Sequence, residues 1–216
     1  MIVHTRETQA TMTPQKALQF LKEGNARFQN NLSANRNLLQ QVNETEDGQF
    51  PFATILSCID SRVSAELVFN QGLGDIFSIR IAGNFVNEDI LGSMEFACKL
   101  AGTKLIVVLG HTSCGAVKGA CDKARLGNLT TLLSKIEPAV DAVHEPKDES
   151  LRNSKNSDFV DAVATKNVAF ALEQIRKQSP ILNEMEKNNE IMIVGAMYDI
   201  GNGSVVFEDE LPGFND

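Results

Sequence analysis

The sequence predicts an α/β fold: a single domain with a mostly parallel central β-sheet flanked by helices, an N-terminal helical arm and a short C-terminal edge hairpin. Three observations point there. Short, continuous apolar runs recur at 52–58, 75–80, 104–110 and 191–197, and runs of this length suit strands covered on both faces, as in a parallel sheet. Helical patterns lie between them, giving the strand–helix–strand alternation of βαβ units. The chain has 216 residues, 43% hydrophobic and 22% charged, which fits one core and shows no linker, repeat or low-complexity tract.

Each element has its own local reason. Thr13 and Pro14 form an N-cap and first-turn pair that opens a helix through about Asn30, with Ala17, Phe20, Leu21 and Phe28 on its apolar side. The polar stretch 31–49 reads as a loop, or as an arm that needs an outside partner to pack against. Helical patterns follow at 64–70 and 89–101, between the first three strands. Longer helices are expected at 129–143 and 158–178, joined by a charged segment containing Glu145, Pro146 and Lys147. After the strand at 191–197, Asn202 and Gly203 mark a turn into an edge strand at 204–208.

Composition narrows the function. A formal net charge of −8 argues against nucleic acid, whose phosphates are bound by clustered Lys and Arg. No apolar run approaches the roughly 20 residues of a membrane-spanning helix, and the first residues lack the basic and apolar segments of a secretory signal. The four cysteines, Cys58, Cys98, Cys114 and Cys121, therefore read as reduced thiols, with metal binding or catalysis favoured over disulfides. Cytoplasm is the expected address.

Two segments carry chemistry: Cys58-Ile-Asp-Ser-Arg62 and His111-Thr-Ser-Cys114. Each begins where an expected strand ends, and ligands of parallel sheets bind beyond the carboxyl ends of strands. Two thiolates and an imidazole suit tetrahedral zinc. Three protein ligands leave a fourth position. Water there makes the site catalytic, because zinc lowers its pKa to near 7; Asp60 there makes the site structural.

These residues resemble the β-class carbonic anhydrases, whose signatures are Cys-x-Asp-x-Arg and His-x-x-Cys. The likeness is dense from Gln49 to Val117 and looser through Gly195–Asp199 and the Gly203-Ser204 turn. The resemblance implies one Zn2+ per chain on Cys58, His111 and Cys114, and reversible hydration of carbon dioxide to bicarbonate and a proton by zinc-bound hydroxide. Asp60, paired with Arg62, would accept a hydrogen bond from that hydroxide. Gln49 would reach the neighbouring subunit's site, and Phe77, Ala82 and Phe96 would line a small apolar substrate pocket. Phe96 is a departure, since plant members carry Tyr there. Another is Ile55, which stands where some relatives place the Trp of a regulatory bicarbonate site, although Arg80 and Tyr198 match it; an open, constitutively active site is expected.

The resemblance also implies a homo-oligomer, a dimer or a dimer of dimers, with 1–49 as helix and dimerisation arm and 50–216 as the zinc-binding core. Two other functions use the same residues: hydrolysis of carbon disulfide or carbonyl sulfide, and a non-catalytic zinc-binding protein with Asp60 as fourth ligand. Gly83 is expected for its backbone conformation, and Gly115 to let a helix start close to the metal, where it favours thiolate. Cys98 and Cys121 read as small buried residues, and His4 and His144 as surface residues.

Overall fold

A computed structural model describes residues 4–32, 34–211 and 214. Its centre is a five-stranded sheet: β1 (Ala53–Ser57), β2 (Ile76–Arg80), β3 (Leu105–His111), β4 (Met192–Tyr198) and β5 (Val205–Phe207). The spatial order is β2-β1-β3-β4-β5. The first four are parallel, and β5 pairs antiparallel with β4 at the far edge. Every residue of β1 and β3 is buried, because helices cover both faces there, and this is why those segments read as unbroken apolar runs.

α1 (Arg6–Ala10) and α3 (Leu38–Glu44) flank α2 (Pro14–Gln29) in sequence, and one face of the sheet carries α2 and α4 (Ala65–Val68). Thr13 caps α2 by accepting from Lys16 N, with Pro14 in its first turn. Ala17 and Leu21 of α2 are fully buried beside Ile55, Val107 and Ala196; a buried leucine contributes roughly 1.5–3 kcal/mol. Asn25 fixes the helix: its amide donates to Val68 O at 3.1 Å and Gly203 O at 2.9 Å and accepts from Val205 N at 2.9 Å. The N-terminal helix thus packs on its own chain, where the sequence suggested little for this third of the molecule to bury against.

The other face carries α5 (Glu88–Glu95), which runs into a π turn at Phe96–Leu100, then α6 (Gly115–Cys121), α7 (Gly127–Leu133), α8 (Glu137–Ala142), α9 (Ser157–Gln178) and α10 (Pro180–Lys187). α9 lies along β3 and β4 and buries Val160, Val163, Val168 and Ile175.

Several expectations are corrected. The polar stretch contains α3, capped by Asn37 and tied to the body by Gln41, whose Oε1 accepts from Leu73 N at 3.2 Å. The single helix expected at 129–143 is two, α7 and α8, because Pro138 cannot donate to residue 134 and its ring clashes with that carbonyl. α10 was not foreseen. β2 is not covered on both faces: it is the other edge strand and is half-exposed. His4 is half-buried against Phe52, its ring centroid 5.2 Å away.

Candidate metal centre

β1 and β3 are adjacent and parallel, with Ser57 level with Leu109, so the residues that follow them emerge side by side at the carboxyl edge of the sheet. Cys58 leaves β1 directly. His111 is the last residue of β3, and Cys114 caps α6. The ligand atoms of Cys58, His111 and Cys114 all lie within 4.8 Å of one another, and all three residues are buried. The two sulfurs are 4.0 Å apart.

The donor set fits a divalent cation. His111 Nδ1 lies 2.9 Å from Thr112 O, and a carbonyl can only accept, so Nδ1 carries the proton and Nε2 a free lone pair. Nε2 is buried and has no hydrogen-bond partner. That costs on the order of 1–3 kcal/mol, and a metal on Nε2 removes the cost. The thiols tell the same story. A hydrogen bond from Cys114 holds the Cys58 thiol down at about 4, with help from the Gly83 N–H, while burial opposes it. Cys114 is pushed up by that bond to Cys58, by burial and by repulsion from the Cys58 thiolate, although the backbone N–H groups of Val117 and Ala116 favour its anion. The pair loses one proton easily and keeps the other until a cation compensates both charges.

Asp60 and Arg62 stand beside this cluster. Arg62 donates Nε to Asp60 Oδ1 at 2.9 Å and a terminal nitrogen to Oδ2 at 2.8 Å, and its backbone N–H also reaches Oδ1 at 3.0 Å. These bonds hold the carboxyl well below the usual carboxylate range. Asp60 does not join the three ligands within 4.8 Å; its carboxylate is turned to the guanidinium. Arg80 braces the loop from below, donating to Cys58 O at 2.9 Å and Asp60 O at 2.7 Å.

A carbonic anhydrase family model matches residues 53–205, which span both motifs. The chain belongs to the β-carbonic anhydrase family. It is 33% identical to carbonic anhydrase 2 of Mycobacterium tuberculosis, with 92% of this chain and 94% of that one aligned. Its fold is similar to the β-carbonic anhydrase CafA of Aspergillus fumigatus, at 24% identity, 93% coverage of each chain and a TM-score of 0.71. It is also similar to a tetrameric β-carbonic anhydrase of Sordaria macrospora, at 22% identity, 89% and 96% coverage and a TM-score of 0.66.

Within this carbonic anhydrase chain, the residues expected to line a substrate pocket do not all meet. Phe77 on β2 and Phe96 on the π turn do, with ring centroids 6.2 Å apart. They line an open groove of about 570 Å³ with Ile79, Glu88, Gly92 and Ser93. Ala82 lies instead in the loop before Gly83, and Gln49 is exposed; neither lines that groove. Cys98 and Cys121 are buried, as expected of small core residues.

Gly83 has φ +79°, in the region that favours glycine, and an added Cβ would overlap Ile136 Cδ1. Gly115 is otherwise: it has ordinary φ, and a Cβ there would meet nothing within 4 Å, so within one chain space does not demand glycine. Sequence reasoning missed two residues of α9. Asn167 donates to Gly83 O at 2.8 Å, and Asp161 accepts from Ser113 N at 2.7 Å. Asn167 did leave a signal, as the polar residue in a buried stripe of Val160, Val163, Ala164, Val168 and Ala171.

Proposed function

We propose that this chain catalyses the reversible hydration of carbon dioxide to bicarbonate and a proton at one zinc ion held by Cys58, His111 and Cys114. The observation that carries the proposal is the buried trio of donors with an orphaned His111 Nε2. Two sulfurs and one nitrogen are a zinc donor set, and three protein ligands leave a position for a reactant. Bound there, zinc would act as a Lewis acid that brings the pKa of a water molecule to near neutrality.

The chain's own residues then orient that reactant. Asp60 Oδ1 already accepts two N–H groups and Oδ2 one, and a carboxylate offers about four lone-pair sites. One acceptor position therefore remains, on Oδ2. Because Arg62 keeps Asp60 ionised, that position only accepts. It would accept a hydrogen bond from the reactant oxygen's O–H and so turn that oxygen's lone pair toward the carbon of carbon dioxide, without itself taking the proton. Arg80 keeps the carbonyls of Cys58 and Asp60 fixed, so ligand and acceptor move as one piece. With Asp60 occupied by Arg62, the fourth position belongs to the reactant, which favours the catalytic reading over a closed structural site.

The chain works as a homo-oligomer in this proposal, as a dimer or a dimer of dimers, and residues 1–49 contribute to that contact. Among the described residues β2 is paired on one side only, and Phe96, Leu100, Leu38, Leu39 and Val42 are exposed, an apolar surface suited to burial by a second copy. Gln49, Phe77, Ala82 and Phe96 would complete the substrate pocket across that interface. Ile55 is fully buried in the core, where no tryptophan stands, and Arg80 donates Nε and one terminal nitrogen to backbone carbonyls. No steep bicarbonate-dependent shut-off at mildly acidic pH is expected.

Stopped-flow hydration with a pH indicator tests the activity. A zinc-loaded protein that accelerates hydration supports it; a zinc-loaded protein that releases sulfide from carbon disulfide but does not hydrate carbon dioxide overturns it.

A further inference from the structure

The two loops that carry the metal donors are each held from behind by one side chain of the same helix. Asn167 is 3% exposed and donates Nδ2 to Gly83 O at 2.8 Å. Gly83 in turn donates its N–H to Cys58 Sγ at 3.4 Å. Its φ of +79° is what aims carbonyl and N–H in these two directions at once. On the other loop, Ser113 sits between His111 and Cys114 with φ +55°, a left-handed conformation that is strained for a non-glycine residue. Its N–H donates to Asp161 Oδ1 at 2.7 Å, 48 positions away in sequence.

We propose that α9 is the clamp of the metal centre, with Asn167 and Asp161 as positioning residues: Asn167 sets the Gly83 N–H on the Cys58 sulfur, and Asp161 pins Ser113 in the backbone turn that brings His111 and Cys114 to one point. This rests on the zinc reading above. The reason one helix does both is geometric. α9 packs along β3 and β4, level with both strand ends, and is 22 residues long, so it is a stiffer reference than either loop. Neither side chain touches the donors: Asp161 fixes the Thr112–Ser113 peptide, whose carbonyl accepts from His111 Nδ1, and Asn167 fixes the carbonyl of Gly83, the residue whose N–H meets Cys58 Sγ. Such outer partners typically change metal affinity about 10–100-fold when lost.

Asp161 is half-buried at the surface side of α9, so its variants should fold, and the test rests on them. The readout is the rate at which a strong chelator strips zinc from the holoenzyme, alongside the thermal unfolding of the metal-free protein. Asp161→Ala is expected to release zinc about 10–100-fold faster, and Asp161→Asn, which keeps an accepting oxygen, to stay near the wild-type rate. Ser113→Gly removes the strain that Asp161 holds, so Asp161→Ala should cost less in that background. Asn167→Leu, similar in size without the donor, should also speed release and shift the sulfur-to-cobalt charge-transfer band of the cobalt-substituted protein. Wild-type protein that retains zinc while Asp161→Ala releases it no faster overturns the clamp and leaves the zinc reading standing. Equal losses from Asp161→Ala and Asp161→Asn, or equal losses with and without Ser113→Gly, also overturn it. Wild-type protein that binds no zinc overturns both.

Discussion

Gly83→Ala offers a perturbation whose cost divides into two parts that can be measured separately. The first is conformational: φ at Gly83 is +79°, and an L-residue there costs about 1–2 kcal/mol. The second is steric: the new Cβ would overlap Ile136 Cδ1, the end of a side chain that is itself fully buried, and overpacking of this kind costs about 1–3 kcal/mol. Together they predict a loss of about 2–5 kcal/mol, or roughly 4–20 °C in melting temperature at about 2–4 °C per kcal/mol for a chain of this size. Ile136→Val deletes the overlapped Cδ1 atom. On its own it should cost about 0.5–1.5 kcal/mol, yet in the Gly83→Ala background it should restore stability by relieving the overlap, leaving the conformational part. Urea unfolding of the metal-free protein, run as a double-mutant cycle, measures this. If the two substitutions add, with no recovery in the double variant, the close approach of Ile136 to Gly83 is refuted.

Three further outcomes follow from the same structure. Asn25→Ala removes the partner of Val68 O, Gly203 O and Val205 N at once; at about 1–3 kcal/mol for each buried group left unpaired, chemical denaturation should show a loss above about 2 kcal/mol with zinc content unchanged. Asp60→Asn should keep its zinc but hydrate carbon dioxide about 10–100-fold more slowly, measured by stopped flow; loss of metal instead would make Asp60 a ligand. With Cys58 held at about 4 and Cys114 raised, metal-free protein at neutral pH carries one thiolate and one thiol. Zinc binding at about pH 6, below the titration of a zinc-bound water, should then release about one proton per ion, not two, as read from titration calorimetry in buffers of different ionisation enthalpy.

The sequence shows most of the fold where burial is two-sided. β1 and β3 are buried along their length and β4 from Ile193 onward, so their apolar runs are unbroken. β2 reads the same way but is an exposed edge, because an apolar run cannot say whether its cover comes from the same chain or another. The helices that were missed are short: α3 has one buried residue, Gln41, and α10 two, Leu182 and Met185, too few to write a periodic pattern. The metal donors were legible because they sit at strand ends in two short motifs. Their supports were only half so. Asn167 interrupts an apolar stripe, whereas Asp161 acts through the backbone of Ser113, and nothing in a serine announces a φ of +55°.

The most direct test of the central claim pairs metal content with hydration rate on one sample. Purified protein should carry close to one zinc per chain and hydrate carbon dioxide; chelation should abolish the rate, and restoring zinc should return it in proportion to metal bound. Cys114→Ser, which exchanges a buried thiolate for a poor zinc ligand, should lose both together. Full zinc occupancy in Cys114→Ser, or a wild-type protein saturated with zinc that leaves the hydration rate at its uncatalysed value, would contradict the account.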